Sequence, residues 1–297
     1  MKIRTITIIQ IFLSAILMIW SQHELFSREA DSISITKQPG LFVGVSLSPS
    51  QTYISNKGIL SVSDLISDKQ TSFGASVEIG YFFTKHVGVS SGIGLDTYKS
   101  QLNLDTYQNK FNTIDSENES YERQVSGTGI KEVQNIGFIS VPVCLDIRLP
   151  LSRTMGFFLQ TGINLAVPFK KKYSGSGTFT YKGYYPAYNV LLENLPAYGF
   201  PSNIKSATDG VLEIKPLCFN AIASTGFDYF VQKKIAIAIA VSYSKSLSSI
   251  SAYSSPEKFQ LSPDVNQVNS MMGGSSKASV QSIGVNITLR YFLNGSF

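Results

Sequence analysis

The chain has 297 residues, of which 15% are charged and 12% aromatic, with 15 Tyr and 19 Phe. Soluble domains carry about 25% charged residues, so a water-bathed globule is disfavoured, yet nothing after residue 21 is apolar for the roughly 18 residues a spanning helix needs. Once residues 1–21 are set aside, the net charge falls from +5 to +3 (23 basic against 20 acidic), too little to point to nucleic acid as a partner.

Residues 1–21 read as a signal peptide: Lys2 and Arg4 precede an apolar run from Ile6 to Trp20, with Ser21 a cleavage point and Ser27 a second. The alternative is an uncleaved membrane anchor. Residues 22–36 are expected to form a periplasmic N-terminal stub, and residues 37–297 the main domain.

Eight stretches then alternate large apolar residues with small or polar ones, the period of a strand. In chain order the apolar faces begin with Leu41, Val43, Val45 and Leu47, then Phe73, Ala75, Val77, Ile79 and Tyr81. They continue with Val87, Val89, Ile93 and Leu95, and with Ile139, Val141, Val143, Leu145 and Ile147. The second half repeats the pattern at 157–167, 219–229, 235–244 and 282–291. The opposite faces are rich in Gly, Ala and Ser rather than Lys and Glu, which suits the narrow interior of a barrel of about eight strands. The apolar faces carry no formal charge, as hydrocarbon demands. A soluble lipocalin-like barrel with its apolar face inward is the competing arrangement.

The links alternate between short ones, near 84–86, 149–154 and 232–234, and long ones, at about 49–72, 98–135, 169–216 and 246–279. Short turns suit the periplasmic side and long loops the outside. The expected fold is therefore an all-β, antiparallel, transmembrane up-and-down β-barrel of about eight strands, with short periplasmic turns and long extracellular loops. Parts of the long links should continue the strands above the membrane, and Val190, Leu191 and Leu192 should form a short helix or a folded-over loop.

The run Ile139-Ser140-Val141-Pro142-Val143-Cys144-Leu145-Asp146-Ile147-Arg148 resembles the central strand of PorT-like outer-membrane barrels of the Bacteroidetes type. Gly156-Phe157-Phe158-Leu159-Gln160-Thr161-Gly162 resembles that family's next strand. The end, Ser282-x-Gly284-x-x-Ile287-x-Leu289 followed by Arg290-Tyr291-Phe292, is similar to the terminal signal read by the barrel-assembly machinery. The chain departs from the pattern by running five residues past Phe292 and by its Tyr-rich third loop. The resemblance implies outer-membrane placement in a Gram-negative envelope; it does not carry over a secretion-linked role.

Chemistry is sparse. His23 lies near the signal and His86 in a short turn, so the rim lacks the base that barrel enzymes typically use. No metal, cofactor or phosphate motif appears. Cys144 and Cys218 both point inward by parity but at heights differing by some 20 Å, which favours two free thiols over a disulfide. Glu78, Asp96, Asp146, Arg148, Asp228 and Arg290 face the lumen by parity, either as an ion path or, as we favour, as an ion-pair cluster joining opposite walls. Tyr181, Tyr184, Tyr185, Tyr188 and Tyr198 of the third loop form a candidate binding surface, unless they pack on one another. Lys170, Lys171 and Lys172 should meet anionic lipid head groups.

The sequence thus points to a non-enzymatic, monomeric outer-membrane barrel, structural or binding through its extracellular loops, with a secretion or assembly accessory role in view. The expected partners are outer-membrane lipid, the assembly machinery during insertion, and a protein or glycan at the loops. A small passive channel, porin-like, is the alternative, and a barrel enzyme a third.

Overall fold

The computed structural model of the protein describes residues 40–57, 65–253, 258–275 and 277–293. The expected signal peptide, 1–21, and stub, 22–36, lie outside the described residues. The strands are β1 (Leu41–Lys57), β2 (Leu65–Phe82), β3 (Val87–Ile114), β4 (Ser120–Pro150), β5 (Met155–Tyr185), β6 (Val190–Glu193), β7 (Ile204–Val211), β8 (Cys218–Gln232), β9 (Ile235–Ser246) and β10 (Lys277–Phe292). Together they form one ten-stranded antiparallel sheet. Two of them, β6 and β7, are attached to the upper part of β5; the other eight close a ring, β1 on β10 and β4 on β5. The eight expected stretches are the ring, and the two further strands come from the third long loop. Val190, Leu191 and Leu192 are strand β6, not a helix, because they pair back onto Gly183, Tyr184 and Tyr185.

The outer face is the expected one. Val45, Val77, Ile93, Val143, Val241 and Leu289 stand exposed, Ile93 at 64%, while the alternate residues Ser46, Ser90, Cys144, Ala240 and Arg290 are buried. An apolar belt facing out around a polar interior is the inverse of a lipocalin and fits hydrocarbon outside. The short connections lie between β2 and β3, β4 and β5, and β8 and β9; the first two are closed by backbone hydrogen bonds, Phe83 N–H to Val87 O and Leu151 N–H to Met155 O, and the third by the pairing of Gln232 with Ile235.

Strands of 31 residues, as in β4 and β5, far exceed the 9–11 that cross a bilayer. Above the membrane the pattern changes phase. On β3 the inward residues run from Gly94 and Asp96 to Tyr98, Leu102 and Leu104, the last three buried, while the outward ones run from Ile93 and Leu95 to Lys99, Gln101 and Asn103. The switch is marked on β4–β5 by a bulge at Gly137/Phe138, beside which Phe169 stands exposed and Lys170 opposes Gly137. Below the switch the outside is apolar and the inside carries charged and hydroxyl groups over a floor of phenylalanines; above it the outside is polar and the inside mainly apolar.

The upper interior is filled by the segment between β9 and β10. Its Ile250, Leu261, Val268, Met271 and Met272 are buried against Tyr98, Ile136, Leu104, Val125 and Phe179. A short 3-10 helix, Met271–Gly274, sits at its inner end, and Ser270 caps it by accepting from the Met272 N–H.

Candidate functional site

The lumen is built in three tiers. At the periplasmic end, Phe42 of β1, Phe82 of β2, Phe230 of β8 and Phe292 of β10 form one buried cluster. The Phe42 ring enters the space over Gly80, where a side chain would lie 2.3 Å from the ring, so Gly is required there. Arg148 of β4 and Arg290 of β10 lie on these rings: the Arg148 guanidinium is 4.5 Å from the Phe82 centroid and that of Arg290 5.4 Å from the Phe42 centroid, with Phe158 also beside it at 4.7 Å.

Asp228 of β8, fully buried, joins the two cations. Its Oδ2 is 2.6 Å from Arg148 Nη2, and its Oδ1 accepts from Arg290 Nη1 at 2.9 Å. Arg290 Nε also donates to Glu78 Oε1 of β2 at 2.8 Å. The chain Glu78–Arg290–Asp228–Arg148 therefore ties β2, β10, β8 and β4 across the bore. The remaining two acids stand apart from the cations' direct bonds. Asp146 accepts from the Gln160 amide at 2.9 Å, and Asp96 from the Ser140 hydroxyl at 2.7 Å. Parity placed all six groups inside; it could not say that only four of them interlock, because which strands face each other across the bore depends on closure.

Above this tier lies a cavity of about 150 Å³, bounded by Phe158 and Arg290 below and Tyr98 above. Hydroxyls dominate its wall, among them Ser46, Ser90, Ser140, Ser224, Ser242 and Thr288, one each from six strands. Ser46 and Thr288 are hydrogen-bonded at 2.8 Å. The third tier is the apolar roof formed by the β9–β10 segment. Among the described residues no group of three or more His, Cys, Asp or Glu is placed to hold a metal ion. Cys144 and Cys218 are both free and buried.

A family model described as Outer membrane protein beta-barrel domain matches residues 30–252, most of the chain. The chain belongs to this family. Its place is the outer membrane. Among solved structures, this outer membrane barrel is similar to the outer membrane protein OprG from Pseudomonas aeruginosa, with 12% identity, 88% of this chain and 99% of that one covered, and a TM-score of 0.41. It is similar to Neisserial surface protein A, with 11% identity, coverage of 86% and 99%, and a TM-score of 0.37. The outer membrane protease OmpT from Escherichia coli matches with 9% identity, coverage of 86% and 97%, and a TM-score of 0.29. No curated protein matches.

The extracellular end of the outer membrane barrel holds the tyrosines. Tyr181 does not belong to an exposed surface: it is fully buried, its hydroxyl 2.7 Å from Ser262 Oγ and its ring under the Arg123 guanidinium at 5.1 Å. On β5 it shares the inward face with Phe179, and above the membrane that face is the core. Tyr185 stacks on Tyr121 at 5.1 Å and donates to Asp115; burial and that carboxylate push its phenol up to about 12. Tyr184 donates to Asn189. Tyr188 and Tyr198 stay open to solvent, Tyr198 at 73%, next to exposed Leu191 and Leu195.

One site residue has no signal in the sequence. Glu132, on the inward face of β4, is wholly buried in the upper barrel, where its carboxylate accepts from Ser270 Oγ at 2.7 Å, from the Met271 N–H, and from the Gln134 amide at 2.7 Å. Burial raises its pKa against the pull of those three donors. It fastens the start of the 3-10 helix, a contact between positions 138 residues apart in the chain.

Proposed function

We propose that this protein is a non-enzymatic outer-membrane barrel that works through its extracellular face, its bore serving as a structural core rather than a conduit. The observation that carries this reading is the filling of the bore at two levels: the phenylalanine–arginine clasp at the periplasmic end and the roof of Leu261, Val268, Met271 and Met272 at the other. His86 sits in the β2–β3 turn against the Arg148 carbonyl oxygen, 3.0 Å away, at the end opposite to an external substrate. The surface offered to a protein or glycan partner is the arm of β5 and β6, with Tyr188, Tyr198, Leu191 and Leu195. Lipid is the second partner, met by the apolar belt, with Phe169 and Lys170 at its upper margin.

The narrower reading, a PorT-like secretion or assembly accessory, rests on the runs 139–148 and 156–162, which pair with each other along β4 and β5. Planar bilayer recording tests the filled bore. The native protein should give no steady conductance, and Arg290→Ala should weaken the barrel without opening a channel. A reproducible conductance whose selectivity changes on substitution of Arg148 or Arg290 restores the passive channel. Crosslinking from the neighbouring exposed positions 187 and 197 on intact cells should capture the partner, and loss of capture on Tyr188→Ser with Tyr198→Ser assigns the surface.

A further inference from the structure

The formal charges inside the membrane tier do not balance. Glu78, Asp96, Asp146 and Asp228 face two guanidiniums, Arg148 and Arg290. Asp228 and Glu78 are bonded to the arginines, whereas Asp96 and Asp146 receive only neutral donors. A carboxylate held away from water without a counter-charge is costly. Of the two, Asp96 lines the hydroxyl-rich cavity.

A second, independent observation lies in the same cavity. Asn164 of β5, 6% exposed, faces Asp96 with its amide, and its carbonyl oxygen Oδ1 has no hydrogen-bond partner. A buried amide oxygen left without a donor is unusual. Beside a carboxylate, and in a wall of hydroxyl oxygens, it is the donor set that hard cations take.

We propose that the cavity binds a small hard monovalent cation of the sodium type, held by the Asp96 carboxylate and Asn164 Oδ1, with serine hydroxyls and water completing the shell. The single positive charge follows from a single lining carboxylate free of arginine, where a calcium site would gather several. The cavity of about 150 Å³ is large enough for the ion with several waters, each needing roughly 10–15 Å³ of such space. The ion would satisfy Asn164 Oδ1 and neutralise Asp96 at once. This inference does not depend on what the loops bind.

The test uses the full chain refolded from urea into zwitterionic vesicles, so that the cavity closes around whichever cation is present. Thermal midpoints are compared in sodium chloride and in N-methylglucamine chloride at equal ionic strength. Sodium should raise the midpoint by several degrees, the rise following a binding curve in its concentration. Asp96→Asn and Asn164→Leu should abolish the difference, and Asp209→Asn, on the exposed β7, should retain it. Equal midpoints in the two salts, or an unchanged sodium effect in Asp96→Asn, overturn the site. Should Asp96→Asn fail to fold, crystals of the native protein grown with thallium(I) decide: an anomalous peak between Asp96 and Asn164 supports the proposal, and its absence refutes it.

Discussion

The membrane half and the extracellular half of this barrel are built from the same strands on opposite principles. In the membrane half the outward residues are apolar and the inside is held by charge: Asp228, Arg148, Arg290 and Glu78. In the extracellular half the outward residues are Lys99, Gln101, Asn103 and Lys131, and the inside is held by Leu102, Leu104, Phe179, Tyr181, Leu261 and Met271. One strand serves both because its two faces exchange character where the surrounding medium changes from lipid to water. Burial in such a barrel is set by the medium outside. Polar side chains go inward where lipid leaves them nowhere else to go, and apolar ones go inward where water does.

The membrane half is most vulnerable at its buried ion pairs. Asp228→Ala leaves two buried guanidiniums without their shared partner and should cost about 3–5 kcal/mol, read as a lower urea midpoint for unfolding from lipid vesicles. A loss below about 1 kcal/mol would mean that the clasp is not what holds the membrane half.

A matched pair sharpens the contrast of the outer faces. Val241 and Val133 are both outward and exposed, one in the membrane belt of β9 and one on β4 above it. Val241→Arg should cost about 2–4 kcal/mol near the midplane, while Val133→Arg, facing water, should stay within about 0.5 kcal/mol. Equal costs at the two positions would place the lipid boundary elsewhere.

The two interiors should also differ with pH. The folded state holds the Glu132 proton to a higher pH than the unfolded chain does, because burial raises its pKa above the ordinary 4.5. Its contribution to stability is therefore fully present below about 4.5 and is lost as pH rises towards the folded value. Thermal midpoints of the native protein minus those of Glu132→Gln should fall as pH is raised from 4.5 to 8. A flat difference would show that Glu132 is ionised where it lies. Another small effect belongs to the arm: Lys182 and Glu193 form an exposed pair between β5 and β6, and Glu193→Ala should change stability by about 0–1 kcal/mol.

The membrane half was legible in the sequence, residue by residue. Parity alone put Glu78, Asp96, Asp146, Arg148, Asp228 and Arg290 inside and Ile93 and Val241 outside, because a strand's side chains must alternate and lipid tolerates no charge on one of the two faces. The spacing of the short and long links gave the order of strands around the ring. The extracellular half was legible only in part. Tyr181 read as a surface tyrosine because its stretch falls in a long link, although Phe179 and Tyr181 alternate there with Thr178, Thr180 and Lys182 as on a strand.

What the tertiary structure decided is what meets what across the bore. Alternation fixes the side of the sheet on which a group lies, but not its opposite number, which depends on strand tilt and closure. So the sequence by itself determined an eight-strand ring, its facing and its outer-membrane place. Only closure of the ring brought Asp228 between Arg148 and Arg290, separated Asp96 into a cavity with Asn164, and carried Ser270 and Met271 down to Glu132. These are contacts between residues tens to more than a hundred positions apart, and no local pattern encodes them.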